Sequence, residues 1–471
     1  QPWVARRPLT AQVRQLEAPG ARRISTPHTP TPATHLLSNG DYTVMLTAAG
    51  SGYSRWRDLA VTRWREDATC DDYGSYVFLR DVHSGAVWSA GWQPAGVEPD
   101  EYEVTFSEDR CEIARRDGSL ATTLEVLVSA EADGEVRRVS ISNSGFTIRE
   151  IEVTSYAEIV LAPQAADVAH PAFSNLFVET EHLASVGALL ATRRRRSRSE
   201  PEAWAAHLAV VEGEAVGKPE FDTDRAQVLG RGHGIRAPQR VTDGRPLGGS
   251  TGAVLDPVFV LRRRLRIPPG ATVRISFWTL VAPSRGAVLD LIDKHHDPAA
   301  FDRAANLAWT QALVQLHHLG MDRGEAALFQ RLAGRLIYAA SALRPSAEAL
   351  EQGAGGQPGL WRVGISGDLP IVLLRIAEIH ELGVARQFIK ASEYWRSKQL
   401  AFDLVLLNER GASYVQDLQI ALESLVRAGQ AHSPLGEHVA AGRTVVLRAD
   451  LIPDETRDLL AAVARVADDD A

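Results

Sequence analysis

The sequence predicts a multidomain α+β chain: a large antiparallel β-sandwich, then linker helices, then a small α/β module on a parallel sheet. Three observations predict it. Short alternating apolar runs, punctuated by Gly, Asn, Asp and Pro, fill the stretch from about residue 35 to 286. Apolar positions at helical spacing take over from 299 to 345. From 369 onward, continuous apolar runs alternate with helical patterns, as expected of parallel strands buried on both faces. At 471 residues the chain also exceeds one core, since single cores stop growing near about 250 to 300 residues.

Taken in order, residues 1–34 are rich in Pro, Arg and Thr and end in PHTPTPATH, which reads as an extended linker and a joint rather than a natural start. The sandwich, 35–286, draws strands from YTVMLT, SYVFLRD, AVWSAGW, YEVTFS, TTLEVLVS, EVRRVSISN, REIEVTSYAEIVLA, GALLATRRRR, WAAHLAVVEG, VFVLRRRLRI and TVRISFWTLVA. Two hairpins are expected, one closed by NSGFT before REIEV and one by PPG before ATVRI. The arginine runs Arg193–Arg196 and Arg262–Arg264 fall in strands or at their ends and read as solvated sheet faces. Linker helices are expected over 287–358, from AANLAWTQALVQLHHLG and EAALFQRLAGRLIYAASAL, ending at the Gly/Gln hinge EQGAGGQPG. In the α/β module, 359–471, LPIVLLRI, FDLVLLNE and TVVLRADLI are the strands. GVARQFIKASEYWRSKQL, VQDLQIALESLVRAG and DETRDLLAAVARVA are its helices.

Composition excludes several function classes. A net charge of −8 argues against a general nucleic-acid surface. No apolar run approaches the roughly 18 residues of a membrane span, and the first residues lack the apolar core of a signal peptide, so a cytosolic chain is expected. Cys70 and Cys111 cannot build a disulfide framework or a zinc site and read as structural buried thiols. The pairs His295–His296 and His317–His318 read as exposed or capping residues rather than metal ligands. With no P-loop, GxGxxG, HExxH or GxSxG, no cofactor and no metal is expected.

Candidate chemistry narrows to three places. GISGDLP, 364–370, reads first as a turn in which Asp368 bonds the local backbone. Glu409 and Asp417 fall on the ligand-binding crevice side of the expected parallel sheet. No opposed carboxylate pair of glycoside-cleaving type stands out. The denser signal is GSGYSRWRDLAVTRWRED, 50–67, where a strand should run into a glycine turn and project Tyr53, Arg55, Trp56, Arg57 and Asp58 from a rim loop. Aromatic faces with Arg and Asp beside them suit sugar rings and hydroxyls. The same pattern fits Trp56 and Trp64 as core anchors, with the arginines paired to Asp58, Glu66 and Asp67.

Long motifs then carry a resemblance. PHTPTPATHLLSNGDYTVMLTAAGSGYSRWRDLAVTRWRED, DDYGSYVFLRD, GAVWSAGWQP, EVTSYAEIVLAP, HPAFSNLFVETE, WAAHLAVVEGE, GAVLDPVF, LWRVGISGDLPIVLLRI and LNERGASYVQDLQ are similar to the cyclic β-1,2-glucan synthases of bacteria, from about residue 27 to 450. Those proteins are large and span the inner membrane, and their C-terminal region resembles glycoside phosphorylases. The resemblance implies the first of two galactose-mutarotase-like supersandwiches, without the catalytic motifs, so no catalytic residue is carried over. It implies Tyr53, Arg55, Trp56, Arg57 and Asp58, with Arg63 added, as glucan contacts. The implied partners are β-1,2-glucan and the other synthase domains, with no nucleic acid, on the cytoplasmic side of the inner membrane. Two other roles stay open: a docking module without sugar contact, and a weak phosphorylase or transglycosylase using Asp368, Glu409 or Asp417.

Overall fold

The computed structural model describes residues 20–198, 200–340, 343–352, 355–410, 417–432 and 442–467. Residues 1–19 of the expected entry and 353–354 of the expected hinge lie outside that set. The sandwich strands are β1 (Arg22–Ile24), β2 (Thr34–Ser38), β3 (Tyr42–Thr47), β4 (Gly52–Trp56), β5 (Leu59–Thr62), β6 (Tyr76–Asp81), β7 (Val87–Ser89), β8 (Glu101–Ser107) and β9 (Arg110–Asp117). They continue as β10 (Leu120–Val128), β11 (Gly134–Asn143), β12 (Arg149–Ala162), β13 (Val178–Leu183), β14 (Ala188–Arg193), β15 (Trp204–Glu212), β16 (Glu214–Asp224), β17 (Pro257–Ile267) and β18 (Thr272–Ala282).

Two nine-stranded sheets face each other. One runs β1-β8-β9-β10-β11-β18-β15-β14-β13; the other runs β16-β17-β12-β5-β4-β3-β2, with β6 on β12 and β7 on β6. Every pairing within them is antiparallel. The two expected hairpins are not hairpins. β11 pairs with β10 and β18, and β12 with β17, β5 and β6, so NSGFT carries the chain from one sheet to the other. PPG does the same between β17 and β18. A sandwich closes its core by such crossings, and turn chemistry alone cannot tell a crossing from a hairpin.

Period-2 burial is clear in β9, where inward positions such as Cys111, Ile113 and Arg115 alternate with solvated ones. It vanishes in β3, whose six residues are all buried. The reason is that both faces of that hairpin are covered. Tyr42, Val44 and Leu46 enter the sandwich interior, while Met45 packs outward with Leu36 and Tyr53.

The outer covers are helical. α1 (Gln164–Ala169) and α2 (Pro171–Asn175) lie against β12. α3 (Arg285–His295) and α4 (Ala300–His318) seal the first sheet by setting Val288, Ile292 and Phe301 on Leu208, Trp278 and Leu280. α5 (Arg323–Ile337) and α6 (Leu382–Ser397) seal the second, placing Phe329, Tyr394 and Trp395 over Leu36 and Met45. α5 starts cleanly because Asp322 and Glu325 form a reciprocal capping box.

The module beyond is a parallel sheet, as the continuous apolar runs predict. β19 (Ile371–Ile376), β20 (Asp403–Asn408), β21 (Thr444–Arg448) and β22 (Val466–Ala467) stand in the order β21-β20-β19-β22, all parallel. α6, α7 (Asp417–His432) and α8 (Asp454–Val463) are the crossovers. Among the described residues no helix is long and apolar enough to cross a membrane.

Candidate functional site

The GSGYSRWRD stretch is a strand, not a rim loop. Gly52 has φ +147°, and a Cβ there would fall 1.8 Å from the Met45 carbonyl oxygen, so only glycine lets β4 pair this closely with β3. Alternation then divides the side chains. Tyr53 is buried on the outer face, edge-on to Trp64 at 5.3 Å. Arg55 is half-buried, and its Nε has no partner among the described residues. Trp56 points into the interior, where Nε1 donates to Asp133 Oδ2 at 2.7 Å. Arg57, at φ +54°, and exposed Asp58 make the two-residue turn to β5. Arg57 Nε donates to Asp41 at 3.3 Å, and its guanidinium lies 4.9 Å from the Trp56 ring. Tyr53 and Trp56 are thus core anchors with no free face for a sugar, and Arg57 and Arg63 find acids other than Asp58, Glu66 and Asp67.

Arg63 behaves differently from its neighbours. It follows β5, is buried, and gathers residues from four other segments. Its Nη1 lies 2.7 Å from Glu158 Oε2 and 3.3 Å from Asp256 Oδ1, its Nε lies 3.2 Å from Asp167 Oδ2, and Nη2 donates to Asn175 at 2.8 Å. Arg225 closes the ring, with Nε 2.7 Å from Glu158 Oε1 and Nη1 3.3 Å from Asp256 Oδ2. The two guanidiniums and two carboxylates alternate, which keeps these buried charges compensated.

Arg63, Glu158 and Arg225 of this ring form one wall of a cleft of about 70 Å³ on the outer face of β12 and β6, also lined by Asp72, Tyr73, Gly74, Tyr76, Tyr156 and Ile235. A Cβ on Gly74 would sit 2.9 Å from the Tyr76 ring, so glycine lets the loop lie against it. Tyr156 donates its hydroxyl hydrogen to Glu158 at 2.8 Å. The Tyr76 hydroxyl is buried and has no partner among the described residues. Burial, then the charges of Asp71 and Asp72, push the Tyr76 phenol well up, so it stays an O–H donor. Burial works against Glu158, but the charges of Arg225 and Arg63 hold its carboxyl below the usual range. Burial and then Glu158's charge raise Asp256. The two acids are pushed in opposite directions by one ring of partners.

Of the predicted site residues the structure brings only Arg63 to this cleft. Pattern reading missed Tyr73, Tyr76, Tyr156, Glu158 and Arg225 of the cleft and Asp256, which pairs with its arginines, although all but Arg225 stand in the quoted motifs DDYGSYVFLRD, EVTSYAEIVLAP and GAVLDPVF. Elsewhere, Asp368 precedes β19 at the amino edge of the parallel sheet and accepts from Gln357 Nε2 at 2.9 Å. Glu409 and Asp417 stand at the carboxyl edge of β20, paired with Arg375 at 2.6 Å and Arg410 at 3.1 Å. The three acids therefore do not meet. Arg262 is buried rather than solvated and bonds the Arg240 and Arg245 carbonyls. His295 is buried against Trp278, and Cys70 is exposed. No group of metal-ligating side chains occurs among the described residues.

Comparison with known proteins agrees with the fold. The chain is 39% identical over 451 residues to the cyclic β-(1,2)-glucan synthase NdvB of Rhizobium meliloti strain 1021, covering 95% of this chain and 16% of that protein. It is 29% identical over 153 residues to the N,N′-diacetylchitobiose phosphorylase of Vibrio furnissii, covering 31% of this chain and 19% of that one. Among solved structures, a bacterial glucoamylase complexed with acarbose aligns over 68% of this chain and 44% of its own, at 9% identity and a TM-score of 0.40. The chain thus spans about one-sixth of the length of NdvB. Residues 18–298 match the supersandwich domain of glycosyl hydrolase 94, and the chain belongs to that family.

Proposed function

We propose that the chain is a glucan-handling segment of a cyclic β-1,2-glucan synthase, and that it holds β-1,2-glucan at the tyrosine cleft beside Arg63. The observation that carries this reading is the buried Tyr76 hydroxyl, without a partner among the described residues, which a sugar hydroxyl entering the cleft would satisfy. Half-buried Tyr73 offers aromatic surface next to it, and part-exposed Arg225 on the cleft wall offers a donor. Tyr53, Arg55 and Trp56 act in this reading through the strand that carries them. The Arg57–Asp58 turn keeps a surface position but lies outside the cleft lining. The chemistry belongs to a catalytic domain elsewhere in the synthase, on the cytoplasmic side of the inner membrane, and this reading adopts the division into entry linker, sandwich, linker helices and α/β module.

Calorimetric titration of the chain with linear β-1,2-glucan tests it. Binding is expected to weaken roughly three- to tenfold in Tyr76→Phe, the worth of one hydrogen bond. An Asp58→Ala variant should bind as the parent does. Absence of heat with millimolar glucan would leave the cleft a structural ion-pair ring and the chain a docking module.

A further inference from the structure

A strap of chain, residues 225–256, joins β16 to β17 over the same outer face that carries the tyrosine cleft. The cleft's own charges tie its two ends together. Arg225 N donates to the Asp256 carbonyl at 3.0 Å, and the Arg225 guanidinium lies 3.3 Å from Asp256 Oδ2. Two short helical turns, Arg225–Leu229 and Gln239–Thr242, bury Val228, Leu229 and Val241 against Tyr76, Phe78 and Tyr156. The far half is gripped as well, since Arg262 of β17 donates to the Arg240 and Arg245 carbonyls at 2.6 and 2.9 Å. Glu220 and Asp222 of β16 accept from the Leu247 and Gly248 amides at 3.0 and 2.8 Å.

Between these anchors the tip GRGHGIR, residues 230–236, is held by little. Among the described residues its only hydrogen bonds are local turns, Gly230 N to the Ala226 carbonyl, His233 N to that of Gly230 and Ala237 N to that of Gly234. Gly230 and Gly232 have φ of +78° and +84°, and nothing lies within 4 Å of where a Cβ would stand on Gly232 or Gly234. A segment with so few bonds, turning on glycines in open space between rigid ends, is the part of the face that opens and closes most cheaply.

The tip stands at the cleft. Ile235 lines it, while Arg236 leans away, with its guanidinium 5.8 Å from the Trp92 ring. Arg231 and His233 are exposed, and their side chains have no partner among the described residues. At about 3.5 Å per residue, the His233 Cα is within about 7 Å of Ile235 and the Arg231 Cα within about 14 Å. A small inward swing therefore brings both to the cleft mouth. The open cleft also needs a cover: about 70 Å³ falls well short of the roughly 300 Å³ or more of sites that enclose a ligand.

We propose that residues 230–236 are a lid that closes over glucan in the tyrosine cleft and adds Arg231 and His233 as contacts to its hydroxyls. The proposal rests on the glucan reading of that cleft.

Amide exchange followed by mass spectrometry, on the full chain with and without saturating linear β-1,2-glucan, tests it beside calorimetry. Glucan is expected to slow exchange several-fold across residues 230–236. Arg231→Ala and His233→Ala should each weaken binding roughly three- to tenfold, the worth of one hydrogen bond, while circular dichroism stays unchanged. Most of that loss should appear as faster dissociation, because a closed lid slows escape. Glucan binding that leaves tip exchange unchanged and is as tight in both variants overturns the lid and leaves the cleft reading standing. Absence of glucan heat at millimolar concentration overturns both.

Discussion

Trp56 shows at single-residue scale why an aromatic–arginine run is ambiguous. The pairing of β4 with β3 sends its ring inward opposite Tyr42, and the indole N–H is spent on Asp133. Trp56→Ala should therefore cost about 3–5 kcal/mol of stability, read from urea unfolding, and leave the glucan affinity of the folded fraction unchanged. Arg63 was legible as an unusual residue but not in its role, because Glu158, Asp167 and Asp256 lie 95, 104 and 193 residues away in sequence. Buried histidines add a pH dependence. His207, bonded to Ser155 at 2.8 Å, has its pKa pushed down to about 3 by burial from an ordinary 6.5. Above that ordinary value both folded and unfolded states are neutral there. As pH falls below it, only the unfolded chain gains the proton, so stability drops by up to about 1.36 kcal/mol per pH unit until the folded pKa is reached. His35 acts in the same direction. The urea midpoint should fall from pH 7 to pH 4, less steeply in His207→Gln.

At the scale of elements, Arg63 is what docks α1 and α2 onto β12, since it binds Asp167 of one and Asn175 of the other while holding Glu158 of the strand. Arg63→Met would strand the buried Asp167 carboxylate and leave Glu158 and Asp256 to Arg225 alone, and a loss of about 3–5 kcal/mol is expected. Faster amide exchange confined first to α1, α2 and the adjoining end of β12 would check the assignment. The strands legible in the sequence were those with strong runs, such as β10 and β12. β4 read as a loop because the glycines of GSG lead into it, although its pairing is decided by backbone fit at Gly52. β1 likewise emerged from what reads as a linker, and it pairs with β8 at the sheet edge.

For the whole molecule, the α/β module and the sandwich are joined through a buried polar knot. Glu108 of the β8–β9 turn takes Lys398 and Tyr394, and Gln330 bridges Tyr394 to the backbone of β2. Lys398→Met should leave Glu108 buried without its cation and cost about 3–5 kcal/mol, whereas Lys398→Met with Glu108→Gln should recover most of it. The single variant is expected to unfold in two separated calorimetric steps, as the module loses its hold on the sandwich.

Read alone, the chain determined the kind of layers it forms and their order, because period-2 alternation, helical spacing and continuous apolar runs are local consequences of which faces are buried. Its long motifs also marked which segments matter. What only the tertiary structure decided was which of those segments meet: that NSGFT and PPG cross between sheets, that Trp56 faces inward, and that Arg63, Tyr76, Tyr156, Glu158 and Arg225 share one cleft. Those outcomes depend on sheet pairings between residues far apart in the chain, and neither local propensity nor spacing encodes the partner across a sandwich.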